Sequence, residues 1–320
     1  MERELRTMET QTVSWRAAGR FFARYGIYLA FVLLAGSLAI YSPAFRTLSN
    51  VQNILQQISV NGIMAIGMTL VIITAGIDLS VGSVLALSAV VATSFAQGNH
   101  PLLVPVGLGV LTGLVCGAVN GVLIAKRRLA PFIVTLAMMT VARGLALVYT
   151  SGRPEINLTD AYDQIGGGSV GPAVIFFVVV LLGAFILHYT RFGRYVYAVG
   201  GNELAAKVSG VNTDRVLIWV YAFTGALAGV AGIVESSRIM SGEPSAGEGY
   251  ELNAIAAVVI GGTSLSGGVG SIAGTIIGVL IIGVMNNGLD LLNVSSYWQL
   301  VVKGLIIVCA VLLDRKSKLI

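Results

Sequence analysis

Residues 172–190 read PAVIFFVVVLLGAFILHYT, an apolar run without Asp, Glu, Lys or Arg. A helix of about 20 such residues is long enough to cross the hydrocarbon core of a membrane. Similar runs recur along the chain, and we place ten spans at residues 25–42, 53–75, 79–97, 102–125, 129–149, 172–190, 216–237, 251–262, 272–289 and 298–313. The sequence thus predicts an all-α, polytopic membrane protein with about ten transmembrane helices.

The composition of the chain excludes an ordinary soluble protein. Hydrophobic residues make up 56% of the sequence and charged residues 11%, and the mean hydropathy is +0.86. Soluble domains average about 25% charged residues, so this chain has too few to cover a surface in water. The 40 glycines indicate close packing between membrane helices, because small residues let helix backbones approach each other.

The Lys and Arg residues predict the orientation of the chain. Fifteen of the 20 fall before the first span, in two loops and in the tail, namely Arg3, Arg6, Arg16, Arg20, Arg24, Lys126, Arg127, Arg128, Arg191, Arg194, Lys207, Arg215, Arg315, Lys316 and Lys318. Ten spans put all of them on one side, and such an excess marks the cytoplasm. We expect cytoplasmic ends at 1–24 and 315–320 around a transmembrane domain at 25–314. The net charge of +5 is then a topology signal and does not indicate nucleic-acid binding.

The eighth predicted span, 251–262, is too short to cross the membrane as a straight helix. It is either a broken helix or continues into the Gly-rich stretch that follows it. Irregular backbone at membrane depth is tolerated only where it is buried in protein or lines a cavity.

Three short matches predict an inverted repeat. Residues 78–80 are echoed by 251–253, Asn120-Gly121 by Asn287-Gly288, and 143–145 by 303–305, in the same order along the chain. Five spans separate the members of each pair, so the two halves would have opposite orientations in the membrane. Transporters built this way hold the substrate path near the interface between the repeats.

The sequence carries none of the motifs that would make this chain an enzyme. It has no GxxxxGK[ST] phosphate loop, no GxSxG nucleophile turn and no HExxH zinc motif. The two histidines, His100 and His188, are far apart and lack Cys partners, so no metal site is expected. We expect no catalytic residues and no cofactor.

The loop at 191–215 contains a short helix signal. Asn202 is suited to cap the start of a helix, Glu203 is favourable in its first turn, and Gly210 is suited to end it. The pattern predicts a helix of about eight residues beside the membrane. Two interpretations are open, a helix that docks into a partner and an ordinary connecting loop.

Polar residues within or beside the spans are candidates for a translocation path, because such groups are costly in a membrane. The candidates are Asn61, Asp78, Ser80, Asn120, Glu251, Asn253 and Asn287. Asp78 and Glu251 could instead be residues favoured at helix starts, and the Asn side chains could instead bond neighbouring helices. Arg143 and Lys303 also lie within spans, and Glu235 could pair with Arg238.

Three stretches, Asn53–Ser83, Gly200–Val211 and Tyr250–Gly268, resemble the motifs of bacterial monosaccharide ABC transporter permeases. The resemblance extends from about residue 40 to 314. It implies an inner-membrane permease that works as a homodimer with a separate ATP-binding subunit and an extracytoplasmic sugar-binding protein. It also implies a monosaccharide substrate, with ribose expected.

In this family the loop between the sixth and seventh spans holds the helix that couples the permease to its ATPase. The residues that match that motif are Asn202, Glu203, Ala205, Ala206 and Gly210. Leu204 departs from the motif, because many relatives have a small residue there. The resemblance favours the docking interpretation of this helix.

Two other function classes fit parts of the sequence. An ion-coupled secondary sugar carrier would account for the predicted repeat and for Asp78, and a passive channel or structural subunit would account for the spans alone. The resemblance, the missing nucleotide site and the exposed loop helix together favour an ATP-driven importer.

Overall fold

The computed structural model describes residues 26–98, 100–168 and 170–317, so the predicted segment 1–24 and residues 318–320 of the predicted tail lie outside it. The described chain is helical, with a 3₁₀ turn at Pro43–Arg46 and no strand in these ranges. Its helices are α1 (Gly26–Tyr41), α2 (Leu48–Ile73), α3 (Val81–Ala96), α4 (Leu103–Arg127), α5 (Pro131–Thr150), α6 (Asp160–Gly166), α7 (Val170–Tyr189), α8 (Arg191–Gly201), α9 (Glu203–Val208), α10 (Thr213–Arg238), α11 (Tyr250–Ile260), α12 (Ile272–Leu291) and α13 (Ser296–Ser317).

Each of the ten predicted spans coincides with a helix, which confirms an all-α, polytopic membrane fold. Six helices, α2, α4, α5, α7, α10 and α12, are long and apolar enough to cross a membrane, and α1, α3 and α11 are shorter apolar helices. α2 and α10 are mostly buried, whereas α5 and α7 expose apolar side chains such as Phe177 and Phe185. α5 and α7 therefore lie at the outside of the bundle.

The short eighth span ends where its sequence turns to glycine. α11 stops at Gly261, and Gly262 takes a left-handed φ of 86° that reverses the chain. The Gly-rich stretch therefore does not extend the helix but forms a loop at 261–271. The backbone N–H of Gly268 donates to the carbonyl of Ile73 at 2.9 Å, so this loop is fixed to the end of α2.

The helix packing has the pattern of an inverted repeat. α3 packs on α4 and α5, as α11 packs on α12 and α13, while α2 packs on α11 and α12 and α10 packs on α3 and α4. The two first helices, α2 and α10, are both 26 residues long and run antiparallel, since Asn61 and Glu235 line the same cavity and Gly67 lies beside Thr224. Helices α2–α5 and α10–α13 are the two repeats. Their first helices are exchanged, which means that α2 packs against the second repeat and α10 against the first.

α4 and α10 contact each other through glycine backbones. Gly109, Gly113, Gly117 and Gly121 recur at every fourth residue of α4 and so lie on one face of the helix. A Cβ atom at Gly113 would collide with the carbonyl oxygen of Gly225, and one at Gly117 with that of Tyr221. The sequence signal of many glycines is therefore explained here by the direct approach of two helices.

Buried polar side chains also join α2 to α12. Asn50 donates to the side-chain oxygen of Asn287 at 2.9 Å, and Asn287 donates in return to that of Asn50 at 2.7 Å. The hydroxyls of Thr69 and Thr275 share a hydrogen bond of 2.7 Å further along the same pair of helices. These bonds satisfy groups that would be costly to leave unpaired in the membrane.

Replacing Gly117 with leucine tests the contact between α4 and α10. Overpacking of this kind costs about 1–3 kcal/mol or more, so we expect Gly117→Leu to lower the Tm of the detergent-solubilised protein by several degrees. Gly107→Leu is the control on the same helix, because no atom lies within 4 Å of a Cβ there. Equal Tm values for the two variants would contradict the packing described.

Candidate functional site

The two short helices of the repeats, α3 and α11, begin next to each other. A Cβ atom at Gly82, in the first turn of α3, would contact the carbonyl oxygen of Gly247 and the carboxylate of Glu251. Gly249 caps α11 in the left-handed conformation, which turns the chain sharply into the helix. The positive ends of both helix dipoles thus meet at one place inside the bundle.

A cavity of about 630 Å³, the central cavity, opens beside these helix starts. Its walls come from α3, α5 and the segment between α10 and α11, with Ser83, Met139, Thr140, Arg143, Gly144, Leu147, Ser245, Glu248 and Glu251 as lining residues. Hydroxyl, carboxylate and guanidinium groups share the wall with apolar side chains. Such a surface can hydrogen-bond a polar solute without holding it by one dominant charge.

Arg143 fixes one wall of the central cavity. Its Nη1 atom donates to the carbonyl oxygens of Pro244 at 2.5 Å and Ala246 at 2.8 Å. These bonds connect the middle of α5 to the irregular backbone before α11. The sequence marked Arg143 as a charge within a span but gave it no role, because its partners lie more than a hundred residues away.

Three predicted path residues lie together behind the start of α3. The Oδ1 atom of Asp78 accepts hydrogen bonds from the backbone N–H of Ser80 at 2.9 Å and from its hydroxyl at 2.6 Å. The side-chain amide of Asn120 donates to the Ser80 hydroxyl at 3.0 Å. All three residues are buried, so this cluster holds the loop at 74–80 against α4.

The other predicted path residues occupy three different places. Glu251 lines the central cavity, and Asn61 and Asn253 line a smaller cavity of about 190 Å³, the second cavity, on the other side of α11. Asn287 lines neither cavity, because its carboxamide is paired with that of Asn50. The structure therefore divides these seven residues between two cavities and two contacts between elements.

The segment between α7 and α10 contains two helices, one of which the sequence prediction missed. α8 is capped by Thr190, whose hydroxyl accepts from Gly193 N–H at 3.1 Å, and the helix buries Val196 and Val199. The spacing of these valines, three residues apart, was the available signal. α9 follows at once and is six residues long, shorter than the eight predicted.

The caps of α9 are those that the sequence predicted. The side chain of Asn202 accepts from Ala205 N–H at 2.9 Å, Glu203 lies in the first turn, and Gly210 ends the segment with a φ of 87°. Ala206 is the one buried residue of the helix and seats it on the protein.

The outer face of α9 is apolar as well as small. Leu204 is 73% exposed and Val208 is 83% exposed. Two largely exposed aliphatic side chains on a helix of six residues form a compact surface that another protein could cover. Val208 was not among the predicted docking residues, and Leu204 was noted only as a departure from the motif.

An ion-pair cluster connects α9 to the ends of α4 and α10. Arg128, in a left-handed conformation after α4, contacts Glu203 at 2.5 Å and Asp214 at 2.9 Å. The hydroxyl of Thr213 also donates to Glu203 at 3.3 Å. The hydrogen bond to Glu203 and its charge raise the pKa of Arg128 above its usual value. The three charged side chains are partly exposed, so the cluster positions α9 more than it stabilises the fold.

Glu235 and Arg238 form the ion pair that their spacing predicted, with a closest distance of 2.9 Å. They lie in the last turn of α10 and border the second cavity. Among the described residues, no three His, Cys, Asp or Glu side chains are grouped to hold a metal ion.

Comparison with known proteins identifies the family. Residues 50–311 match the family described as branched-chain amino acid transport system / permease component, and the chain belongs to it. The fold is therefore that of the permease of an ABC importer, a non-catalytic multi-pass subunit of the bacterial inner membrane. ATP is hydrolysed by a separate subunit, and a periplasmic binding protein delivers the solute.

The chain is similar over nearly its whole length to permeases for sugars. It is 49% identical to the ribose import permease protein of Escherichia coli K12 over 97% of this chain and 100% of that protein. It is 51% identical to the ribose import permease protein of Bacillus subtilis 168 over 92% and 93%, and 39% identical to the D-allose transport system permease protein of Escherichia coli K12 over 92% of each. No solved structure matches the chain. The resemblance to monosaccharide permeases is thus confirmed.

Replacing Arg143 with leucine tests how the wall of the central cavity is held. A hydrogen bond to a charged group contributes about 1.5–3 kcal/mol, so losing two should free the segment 239–249. We expect amide hydrogen exchange in 239–249 to rise at least tenfold in Arg143→Leu. Arg153→Leu, at an exposed arginine after α5, is the control. Unchanged exchange in Arg143→Leu would show that other contacts hold this segment.

Proposed function

We propose that this chain imports ribose and that the sugar passes through the central cavity. The observation that carries the proposal is a cavity with hydroxyl, carboxylate and guanidinium groups in its wall, at the meeting point of two inverted repeats, in a chain about half identical to ribose import permeases. Inverted-repeat transporters place the substrate path at this interface. Serine and threonine hydroxyls and the charged groups of Arg143 and Glu251 can exchange hydrogen bonds with sugar hydroxyls along the wall.

We further propose that α8 and α9 lie on the cytoplasmic side, together with both ends of the chain. Support comes from the basic residues, because 15 of the 20 lie on one side when ten helices cross the membrane. Arg128 and Lys207, beside and on α9, belong to this set.

We propose that two copies of the chain face each other across the central cavity. Thr140 and Leu147, which line the cavity from α5, are exposed. If the cavity were open to lipid at this side, charged groups such as Arg143 would face hydrocarbon, at a considerable cost. A second copy of the same face would exclude lipid and complete a closed path along a twofold axis.

The exposed surface of α9 is proposed to receive the ATP-binding subunit. Asn202, Glu203, Ala205 and Gly210 are exposed on this segment, while Ala206 anchors it to the bundle. Leu204 and Val208 add the apolar area that a stable contact needs. Closure of the ATP-binding subunits would then displace α9 relative to the membrane helices.

A continuous series of contacts can carry that displacement to the central cavity. α9 follows α8 directly, and at Gly200 the backbone of α8 touches the carbonyl of Ile73 at the end of α2. Ile73 leads into the loop at 74–80, whose Asp78 and Ser80 set the start of α3. A shift of α9 would thus move the helix start that borders the cavity and exchange its outward and inward openings.

Uptake of labelled ribose into proteoliposomes tests the function directly. Vesicles that hold the permease, the ATP-binding subunit and internal ATP, with the binding protein outside, should accumulate ribose. Omitting the ATP-binding subunit should reduce uptake to background, because this chain has no nucleotide site of its own. Uptake that persists without that subunit, or that collapses with an uncoupler at unchanged ATP, would contradict an ATP-driven importer.

Charge reversal at Glu203 tests the role of α9. Glu203→Arg places two cations side by side and should displace α9, so we expect ATPase activity stimulated by the loaded binding protein to fall about tenfold. Membrane insertion and Tm should stay unchanged, since exposed ion pairs contribute only about 0–1 kcal/mol. Asp160→Arg, an exposed reversal on α6, is the control. Normal coupling in Glu203→Arg would exclude α9 as the coupling element.

A further inference from the structure

The second cavity lies between the repeat α10–α13 and the exchanged helix α2, and it is separate from the central cavity. It has a volume of about 190 Å³ and is lined by α2, α10, α11, α12 and α13. Polar side chains make up nearly all of its wall, chief among them Asn61, Glu235, Arg238, Asn253, Asn286 and Lys303. A polar wall of this kind within a membrane bundle implies an occupant that satisfies it.

The charges around the second cavity are balanced. Glu235 and Arg238 form an ion pair, and the hydroxyl of Tyr250 donates to Glu235 at 3.2 Å. Lys303 and Asp290 add one charge of each sign. Two acids and two bases leave no net charge, so the cavity is suited to a neutral occupant rather than to an ion.

Several groups in the wall lack partners within the described part of the chain. Asn253 is only 5% exposed and lines the cavity, and its carboxamide makes no hydrogen bond among these residues. The Lys303 ammonium has no ion pair within 4 Å and no hydrogen bond among these residues. Asn61 and Asn286 each keep an unpartnered side-chain oxygen. The occupant must therefore both donate and accept hydrogen bonds, as hydroxyl groups do.

We propose that the second cavity is a binding site for one neutral monosaccharide within each copy of the permease. This proposal rests on the proposed function, because the bound sugar is the sugar that the permease transports. A cavity of about 190 Å³ has room for several water molecules. This is smaller than the roughly 300–1,000 Å³ of pockets for drug-sized ligands and suits a single sugar ring.

The repeat supports the same assignment independently. Arg143 on α5 and Lys303 on α13 occupy equivalent places in the two halves, and each lines a cavity beside a short helix. The second cavity, between α11 and α13, is thus the counterpart of the central cavity, between α3 and α5. Inverted repeats exchange the exposure of such equivalent places during transport.

Thiol labelling in the complete importer tests this site. In a background of Cys116→Ser and Cys309→Ser, single cysteines are placed at Asn253 in the second cavity and at Ser245 in the central cavity. The importer in proteoliposomes reacts with a small hydrophilic thiol reagent, with and without saturating ribose. We expect ribose to slow labelling of Asn253→Cys at least threefold, and Lys303→Met in that variant to abolish the protection.

Each alternative outcome overturns the proposal. Labelling of Asn253→Cys at the same rate with ribose would show a cavity that holds water only, and no labelling would show that solutes do not enter it. Protection at Ser245→Cys alone would leave the proposed function intact and reject the second site. If Asn253→Cys does not assemble, Asn286→Cys probes the same cavity from α12, with the same expected protection.

Discussion

The absence of water in the hydrocarbon core determines this structure, because every backbone N–H and C=O at that depth must find a partner within the protein. Helices meet the requirement by themselves. The segments at 74–80, 239–249 and 261–271 do not, and named contacts replace the missing helical bonds. Gly268 donates to Ile73, and Arg143 donates to two carbonyls before α11. Two of these segments precede the starts of α3 and α11 and the third follows α11, so polar groups can line a transport path beside them.

The segments at 74–80 and 261–271 connect α8, and through it α9, to the interior. Glycine backbones make these contacts, at Gly200 of α8 against Ile73 and at Gly267 against Ala75, so no flexible side chain lies between the elements to absorb a small movement. The α4–α10 contact is also made through glycine backbones. It keeps these two helices fixed relative to each other while other segments move. Transport by alternating access needs both properties, a stiff frame and a few segments that can adopt two positions.

Local patterns were sufficient to predict the ten spans, the caps of α9 at Asn202 and Gly210, and the inverted repeat. Apolar runs and capping residues affect only residues close to them in the sequence, so they can be interpreted without knowledge of the tertiary structure. The partner of Asn287 and the carbonyls that bind Arg143 could not be predicted, because they depend on which helices meet. α8 was missed because its short apolar stripe lies within a segment rich in Gly and Arg.

The central claim is that α9 lies on the cytoplasmic side and is covered there by the ATP-binding subunit. Leu204→Cys, at an exposed position of α9, can be labelled with a membrane-impermeant thiol reagent in right-side-out and inverted vesicles. We expect labelling in inverted vesicles only, and at least a fivefold reduction when the ATP-binding subunit is bound. Labelling in right-side-out vesicles, or labelling unaffected by that subunit, would contradict the account.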